Sequence, residues 1–337
     1  MTAAKRIGLL TGGGDCPGLN AAIRAVTKRA IQLDFEVIGF IDGFEGLMNG
    51  QYRTLDKLAA SGIIDRGGTI LGSCGIAPSV VEARSSEVLG NYGSLALDGL
   101  VVVGGNTSMT IAHNLSRKGL RIVGVPKTID NDVKETDFTI GFQTAVQIAT
   151  DALDRLRSTA ESHHRVMILE VMGRDTGWIA VYAGMANGAD AILIPELPPD
   201  IDKLCQILMI RSEIGKRYSV VVVAEGTRLE GTFAADHGRV GGAGQALETI
   251  IQDRTGLDTR TTLLGHVQRG GTPVAYDRSL ATALGVRAIE LADVGRYAEM
   301  AALRGNRITS VPLGDVAHGI KRVNLRTYHL AERFFGQ

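Results

Sequence analysis

Apolar residues are distributed along the chain in two patterns. Short unbroken runs occur at Ile7–Leu10, Val37–Ile41, Leu100–Val103, Ile122–Val125, Val166–Leu169, Ala191–Ile194 and Val220–Ala224. Unbroken runs, rather than alternating ones, indicate strands buried on both faces. Between them, apolar residues recur at helical spacing, as in Leu19, Ala22, Ile23, Val26 and Ala30. Further helices are predicted over 106–118, 143–158, 201–216, 243–255 and 277–292. Strand, turn, helix, strand is the α/β pattern with a mostly parallel sheet. The apolar runs are only about five residues long, and a membrane-spanning helix needs ~20. The start of the chain, Met1–Arg6, runs straight into Ile7–Leu10. No secretory leader is expected, and a cytoplasmic location is.

Composition narrows the class. Lys and Arg together number 36, as do Asp and Glu, and 45% of residues are hydrophobic. This excludes a disordered chain and a strongly basic nucleic-acid binder. Cys16, Cys74 and Cys205 lie far apart, so neither a disulfide framework nor a cysteine zinc site is expected. A length of 337 residues suggests two domains.

Glycine is in excess, at 43 residues, where roughly 7% is usual. The excess is clustered: Gly12-Gly13-Gly14 with Gly18, Gly67-Gly68 with Gly72, Gly104-Gly105, and Gly270-Gly271. In open α/β sheets, ligands bind beyond the carboxyl ends of the strands. A single glycine pair there can equally be a plain turn. Several together point to phosphate handling, because glycine loops expose backbone N–H groups and the following helix attracts anions. Neither generic motif fits. Leu19 stands where a Walker loop needs Lys, and Pro17 stands at the final glycine of a dinucleotide fingerprint. That argues against a dinucleotide-dependent oxidoreductase.

Three more segments carry chemistry. Pro126-Lys127-Thr128-Ile129-Asp130-Asn131-Asp132 follows a strand and joins two carboxylates, a hydroxyl, an amide and an ammonium. It suits a base and a metal-linked acid, or is a polar surface turn. Met172-Gly173-Arg174 offers an arginine fork for a phosphate or carboxylate, or is a helix-start turn. His266 and Arg269 flank a turn, where a lone histidine is more often structural.

In this order and spacing, the segments resemble the phosphofructokinase A family over nearly the whole chain. Gly67-Gly68-Thr69-Ile70-Leu71-Gly72-Ser73, Pro195-Glu196 and Arg254-Thr255-Gly256 share in the match. The closest resemblance is to the bacterial branch with Pro-Lys-Thr-Ile-Asp-Asn-Asp. It implies two Rossmann-like, three-layer α/β domains with an active-site cleft between them. A phosphoryl-donor domain would span 1–141 and 268–305, and a fructose 6-phosphate domain 142–267 and 306–337. The implied reaction is phosphoryl transfer from ATP or pyrophosphate to the 1-hydroxyl of fructose 6-phosphate, with Mg²⁺, in glycolysis.

By position, the resemblance makes Asp130 the base that takes the sugar proton, with Thr128 and Asp132 as partners, Asp132 being linked to the metal. Gly14 would meet the transferring phosphate, within a donor site of Gly13, Gly14, Gly75, Gly105, Asn106, Thr107 and Ser108. Met172, Gly173 and Arg174 would contact the sugar phosphate and the transition state, with Arg174 as a catalytic residue, and Glu225, His266 and Arg269 would make further sugar-phosphate contacts. Arg165 and Arg260 would reach the 6-phosphate of a neighbouring subunit, which implies a homotetramer, or a homodimer. Neither nucleic acid nor membrane is an expected partner. Arg24, Lys28 and Arg157 match effector positions of some members, or are solvated helix faces.

The chain departs from the family pattern at three places. Asn106 stands where a carboxylate usually helps hold Mg²⁺, and hard cations favour anionic oxygen. Thr107 stands where ATP users have glycine and many pyrophosphate users have aspartate. Gly75 replaces a basic residue that meets the transferring phosphate, and Lys127 is expected to compensate as a catalytic cation. ATP reads ahead of pyrophosphate as donor. A weakly catalytic, ligand-binding paralogue is the contrasting class.

Overall fold

The structure, a computed structural model, describes residues 5–229, 233–236 and 239–337. Residues 1–4, part of the start considered for a leader, lie outside these. The strands are β1 (Lys5–Thr11), β2 (Phe35–Phe40), β3 (Tyr52–Leu55), β4 (Gly99–Gly104), β5 (Ile122–Pro126), β6 (Val166–Val171), β7 (Ala191–Leu193), β8 (Ser219–Ala224), β9 (Phe233–Asp236), β10 (Arg239–Gly241), β11 (Thr259–Leu263), β12 (Glu299–Arg304) and β13 (Arg307–Pro312). Each unbroken apolar run lies in or overlaps one of them. β4, β5, β6 and β8 are buried at every position, as strands covered on both faces must be.

The chain divides into two compact units. Unit 1 comprises 1–144 and 269–320, and its seven-stranded sheet has the order β13-β12-β5-β4-β1-β2-β3. β1, β2, β4, β5 and β12 are parallel, while β3 and β13 are antiparallel edges. From β1 the chain turns one way to β2, and β4 lies on the other side of β1. This is a topological switch point, the place where open α/β sheets bind ligands as a rule.

Unit 2 comprises 145–268 and 321–337, with a parallel sheet of order β11-β6-β8-β7. Its core joins Val166, Ile168, Val221 and Val223 to Leu204, Leu208, Leu247 and Ile251 of the covering helices. The sequence allotted 306–337 to the sugar domain, but residues 306–320 fall in unit 1. The reason is the antiparallel ladder from Glu299–Pro312 to Arg304–Arg307, which adds β13 to the edge of the unit 1 sheet.

The predicted helices form as Leu19–Gln32, Asn106–Arg117, Phe142–His163, Ile201–Glu213, Ala243–Thr255 and Ala275–Asp293. Internal strand β12 and several short helices were not predicted, and two kinds of element escaped the pattern for a plain physical reason. The helix Trp178–Asn187 is apolar nearly all round and shows no stripe. The strands β3, β11 and β13 are polar and lie at sheet edges, where a hydrophobic run is not required.

Candidate active site

The four glycine clusters meet in unit 1. Gly12 N–H donates to Val103 O at 2.9 Å and Gly13 N–H to Cys74 O at 3.1 Å. Ser73 Oγ donates to Gly13 O. Thr11 Oγ1 donates to Gly72 O at 2.7 Å. Asn20, 1% exposed on the first turn of its helix, accepts from Ile70 N at 2.8 Å and donates to Arg66 O and Gly67 O. A side chain on Gly67 would strike the Gly271 carbonyl. The loop after β1 is therefore stitched to the 66–75 loop, which in turn touches the loop at 271.

Close approach explains the glycines. A Cβ on Gly12 would come within 2.6 Å of Ser108 Oγ. One on Gly14 would come within 2.6 Å of Arg269 Nη1, whose guanidinium donates to Asp15 O at 3.2 Å. Gly18, at φ 105°, opens the helix Leu19–Gln32 in a conformation that side chains rarely adopt.

Lys127 lies beneath this assembly, directly after β5 and 2% exposed. Its Nζ donates to Gly12 O at 2.8 Å and to Gly14 O at 2.6 Å. Burial pulls its ammonium below the usual lysine range, while the neighbouring Asp15 and Asp130 carboxylates oppose the fall. Burial pushes the Cys16 thiol up to about 12, so that group stays neutral and unreactive. Of the three ammonium hydrogens of a lysine, two are spent on the first glycine loop.

The turn that follows is held by its own side chains. Asn131, fully buried at φ 51°, accepts from Thr139 N at 3.1 Å and donates to Asp137 O at 3.3 Å. Thr139 Oγ1 donates to Thr128 O at 2.6 Å, and Asp130 N–H donates to Thr128 Oγ1 at 3.1 Å. Asn131 is thus the structural pin of the motif, and Asp130 and Asp132 stand partly exposed on either side of it. Asp277, fully buried, accepts from Gly141 N, Thr144 N and Thr144 Oγ1 at 3.0, 2.8 and 2.6 Å and anchors the start of the helix Phe142–His163.

The expected donor residues differ in exposure and in hydrogen bonding. Ser108 is 3% exposed, with its hydroxyl packed under Gly12 and Gly104. Gly13 spends its N–H on Cys74. Thr107 is exposed on the first turn of its helix, and Gly105 caps that helix. Gly75 is exposed, and a Cβ there would meet nothing within 4 Å. Asn106 donates from Nδ2 to Asp132 O at 3.3 Å, while its Oδ1 is buried without a hydrogen-bond partner.

In unit 2 a second set gathers at the carboxyl ends of β6 and β8 and just beyond β11. Met172 N–H donates to the buried Gln268 Oε1 at 3.4 Å, and Gln268 Nε2 donates to Gly265 O at 3.1 Å. Gln268 so ties the 3₁₀ turn Gly265–Arg269, which carries exposed His266, to the end of β6. Glu225 N–H donates to Val171 O at 2.9 Å, and Gly173 N–H donates to Glu225 Oε1 at 3.5 Å. Arg174 is exposed beside them.

Arg165 and Arg260 lie at the opposite, amino ends of β6 and β11. Roughly 20 Å of extended strand separates Arg165 from Met172. Arg157 donates to Asn187 Oδ1 at 3.0 Å and to carbonyls at the end of the helix Trp178–Asn187, a capping role.

The phosphofructokinase family model matches residues 6–292. The chain belongs to the phosphofructokinase family. It is a phosphotransferase. An ATP-dependent 6-phosphofructokinase of Streptomyces coelicolor is 49% identical to this phosphofructokinase, over 97% of this chain and 99% of its own. A pyrophosphate–fructose 6-phosphate 1-phosphotransferase of Amycolatopsis methanolica is 45% identical, over 98% and 100%. Among solved structures, a Pichia pastoris phosphofructokinase matches with a TM-score of 0.85 at 32% identity. That match covers 100% of this chain and 37% of the longer yeast chain.

The sequence did not single out Asn20, Gln268 or Asp277. For Asn20 and Asp277 the one local signal is a polar residue at a position that helical periodicity would bury, and Gln268, in a 3₁₀ turn, has none.

Proposed function

We propose that this phosphofructokinase transfers the terminal phosphoryl group of ATP to the 1-hydroxyl of fructose 6-phosphate, giving fructose 1,6-bisphosphate in glycolysis. The observation that carries the reading is Lys127, which follows β5, bonds the loop after β1 through Nζ and bonds Gly104 O at the end of β4 through its N–H at 3.0 Å, the three strands being adjacent in one sheet. Unit 1 is then the donor domain and unit 2 the fructose 6-phosphate domain.

Phosphoryl transfer depends mostly on positioning and charge neutralisation. Asp130 accepts the proton of the attacking hydroxyl, on a turn fixed by Thr128 and Asn131. Gly14 N–H and the remaining Lys127 N–H face the transferring phosphate. Met172, Gly173, Glu225, His266 and the Arg174 and Arg269 forks hold the sugar phosphate. Arg165 and Arg260 serve a neighbouring subunit, because the length of β6 keeps Arg165 from a ligand at Met172 of the same chain. This supports an oligomer of closed symmetry, a homotetramer or a homodimer.

Among the described residues no group of three or more His, Cys, Asp and Glu is set to hold a metal. That fits Mg²⁺, which is usually bound by one or two carboxylates together with substrate phosphates and water. The orphaned Asn106 Oδ1 and the Asp132 carboxylate would hold it. Mg²⁺, when bound there, would supply positive charge that offsets the negative charge of the donor phosphates.

Among the described residues no helix is long and apolar enough to cross a membrane, and the cytoplasm is the proposed site of action. The pyrophosphate reading has its own support, in buried Lys127 and in the Amycolatopsis methanolica relative. Exposed Thr107 lacks a charge that would repel a nucleotide, which favours ATP, while its β-branch crowds a nucleotide more than glycine would. Incubation with fructose 6-phosphate, Mg²⁺ and ATP, ADP or pyrophosphate, read as fructose 1,6-bisphosphate, decides the donor. No product with any donor overturns the proposal.

A further inference from the structure

We propose that Asp258 is a positioning residue that sets Arg165 and Arg260 as one phosphate clamp, an inference resting on the fructose 6-phosphate reading above. Asp258 stands immediately before β11, its carbonyl fixed by Val166 N–H at 2.9 Å. Its two carboxylate oxygens are divided between the two arginines. Oδ2 accepts from Arg165 Nε at 2.6 Å. Oδ1 pairs with Arg260 Nη1 at 2.7 Å, and that nitrogen also donates to Thr259 O at 2.7 Å.

A guanidinium has five N–H donors. Each arginine gives Asp258 a single nitrogen, which leaves the rest of both forks for another anion. Two cations and one anion leave a net charge of +1, on the side that attracts phosphate. The hydrogen bond from Arg165 holds the Asp258 carboxyl below the usual aspartate range, so it remains an anion. All three side chains are partly exposed, at 32%, 43% and 48% for Arg165, Asp258 and Arg260. Exposed pairs contribute little to stability. What such a pairing does provide is preorganisation. Without the carboxylate, two long side chains of like charge repel each other and must be ordered again by each incoming phosphate.

The test is steady-state kinetics of the full-length enzyme with fructose 6-phosphate varied. Asp258→Ala is expected to raise KM for fructose 6-phosphate about tenfold with kcat within about twofold. Asp258→Asn, which keeps the polar arms without the charge, is expected to fall between it and the parent. In an Arg165→Ala background, Asp258→Ala should add less than about twofold, because the pair it coordinates is gone. An unchanged or lowered KM in the Asp258 variants overturns the proposal, and so does an equal effect in both backgrounds. Arg165→Ala and Arg260→Ala test the underlying reading separately. If neither raises KM, the sugar-phosphate assignment fails and the Asp258 role with it. If both raise KM while the Asp258 variants do not, only the Asp258 role fails.

Discussion

Replacing Lys127 with Met separates the two services that this lysine can perform. Met matches the unbranched stem and fills the same buried space, so packing changes little. The loss falls on the ammonium, which holds Gly12 O at 2.8 Å and Gly14 O at 2.6 Å. Hydrogen bonds to charged groups are worth about 1.5–3 kcal/mol each, and relief from burying the charge offsets part of that loss. The native state should therefore survive, with a reduced thermal midpoint. Removal of one preorganised donor at a transition-state anion costs about 10²–10³ in kcat. The expected result is a loss of that size, with KM for fructose 6-phosphate within about threefold.

Gly75→Arg supplies a second arm. A Cβ at Gly75 meets nothing within 4 Å, and its φ lies outside the left-handed region. Added to Lys127→Met, it should recover about tenfold in kcat if a cation at the phosphate is what was lost. The pH profile adds a third. Burial lowers the Lys127 ammonium, so the charged form, and with it kcat, should fade as pH rises through that lowered value. Lys127→Met should lack this alkaline limb. Initial-rate assays of fructose 1,6-bisphosphate, with circular dichroism as the folding control, read all three. A folded Lys127→Met enzyme within about threefold of the parent kcat would refute the reasoning.

Three further outcomes are expected. Asn106→Asp should lower the Mg²⁺ concentration for half-maximal activity about tenfold, since hard cations favour anionic oxygen. It should also cost about 1 kcal/mol of stability by setting a carboxylate against the Asp132 carbonyl, measurable by urea denaturation. Gly14→Ala pushes a methyl group to within 2.6 Å of Arg269 Nη1. Turnover should fall at least tenfold with little change in thermal midpoint, and a parent-like kcat would count against a phosphate contact at Gly14. Arg211→Met leaves Asp190 buried without its ion pair, which spans 2.9 Å between side chains 5% and 10% exposed. A loss of about 3–5 kcal/mol is expected by denaturant titration, and less than 1 kcal/mol would show that water or another donor relieves Asp190.

Sequence alone determined the parallel sheets and the chemistry along their edges. Unbroken apolar runs such as Leu100–Val103 and Val220–Ala224 have one economical solution, a strand covered on both faces. The turn carrying Lys127, Asp130 and Asp132 was legible because its residues are contiguous in the chain and follow such a strand. Tertiary structure alone decided which distant segments meet. Gly14 faces Arg269, Gly67 faces Gly271, and Asn20 holds Ile70, across separations that no local pattern encodes. It also showed that Asn131 and Ser108 are buried, Asn131 pinning the turn through Thr139, and that β13 belongs to unit 1. The physical reason is common to all of these. Periodicity reports which face of an element is buried, whereas hydrogen-bond partners, close glycine contacts and the sharing of Asp258 by two arginines arise only when separate strands are laid side by side.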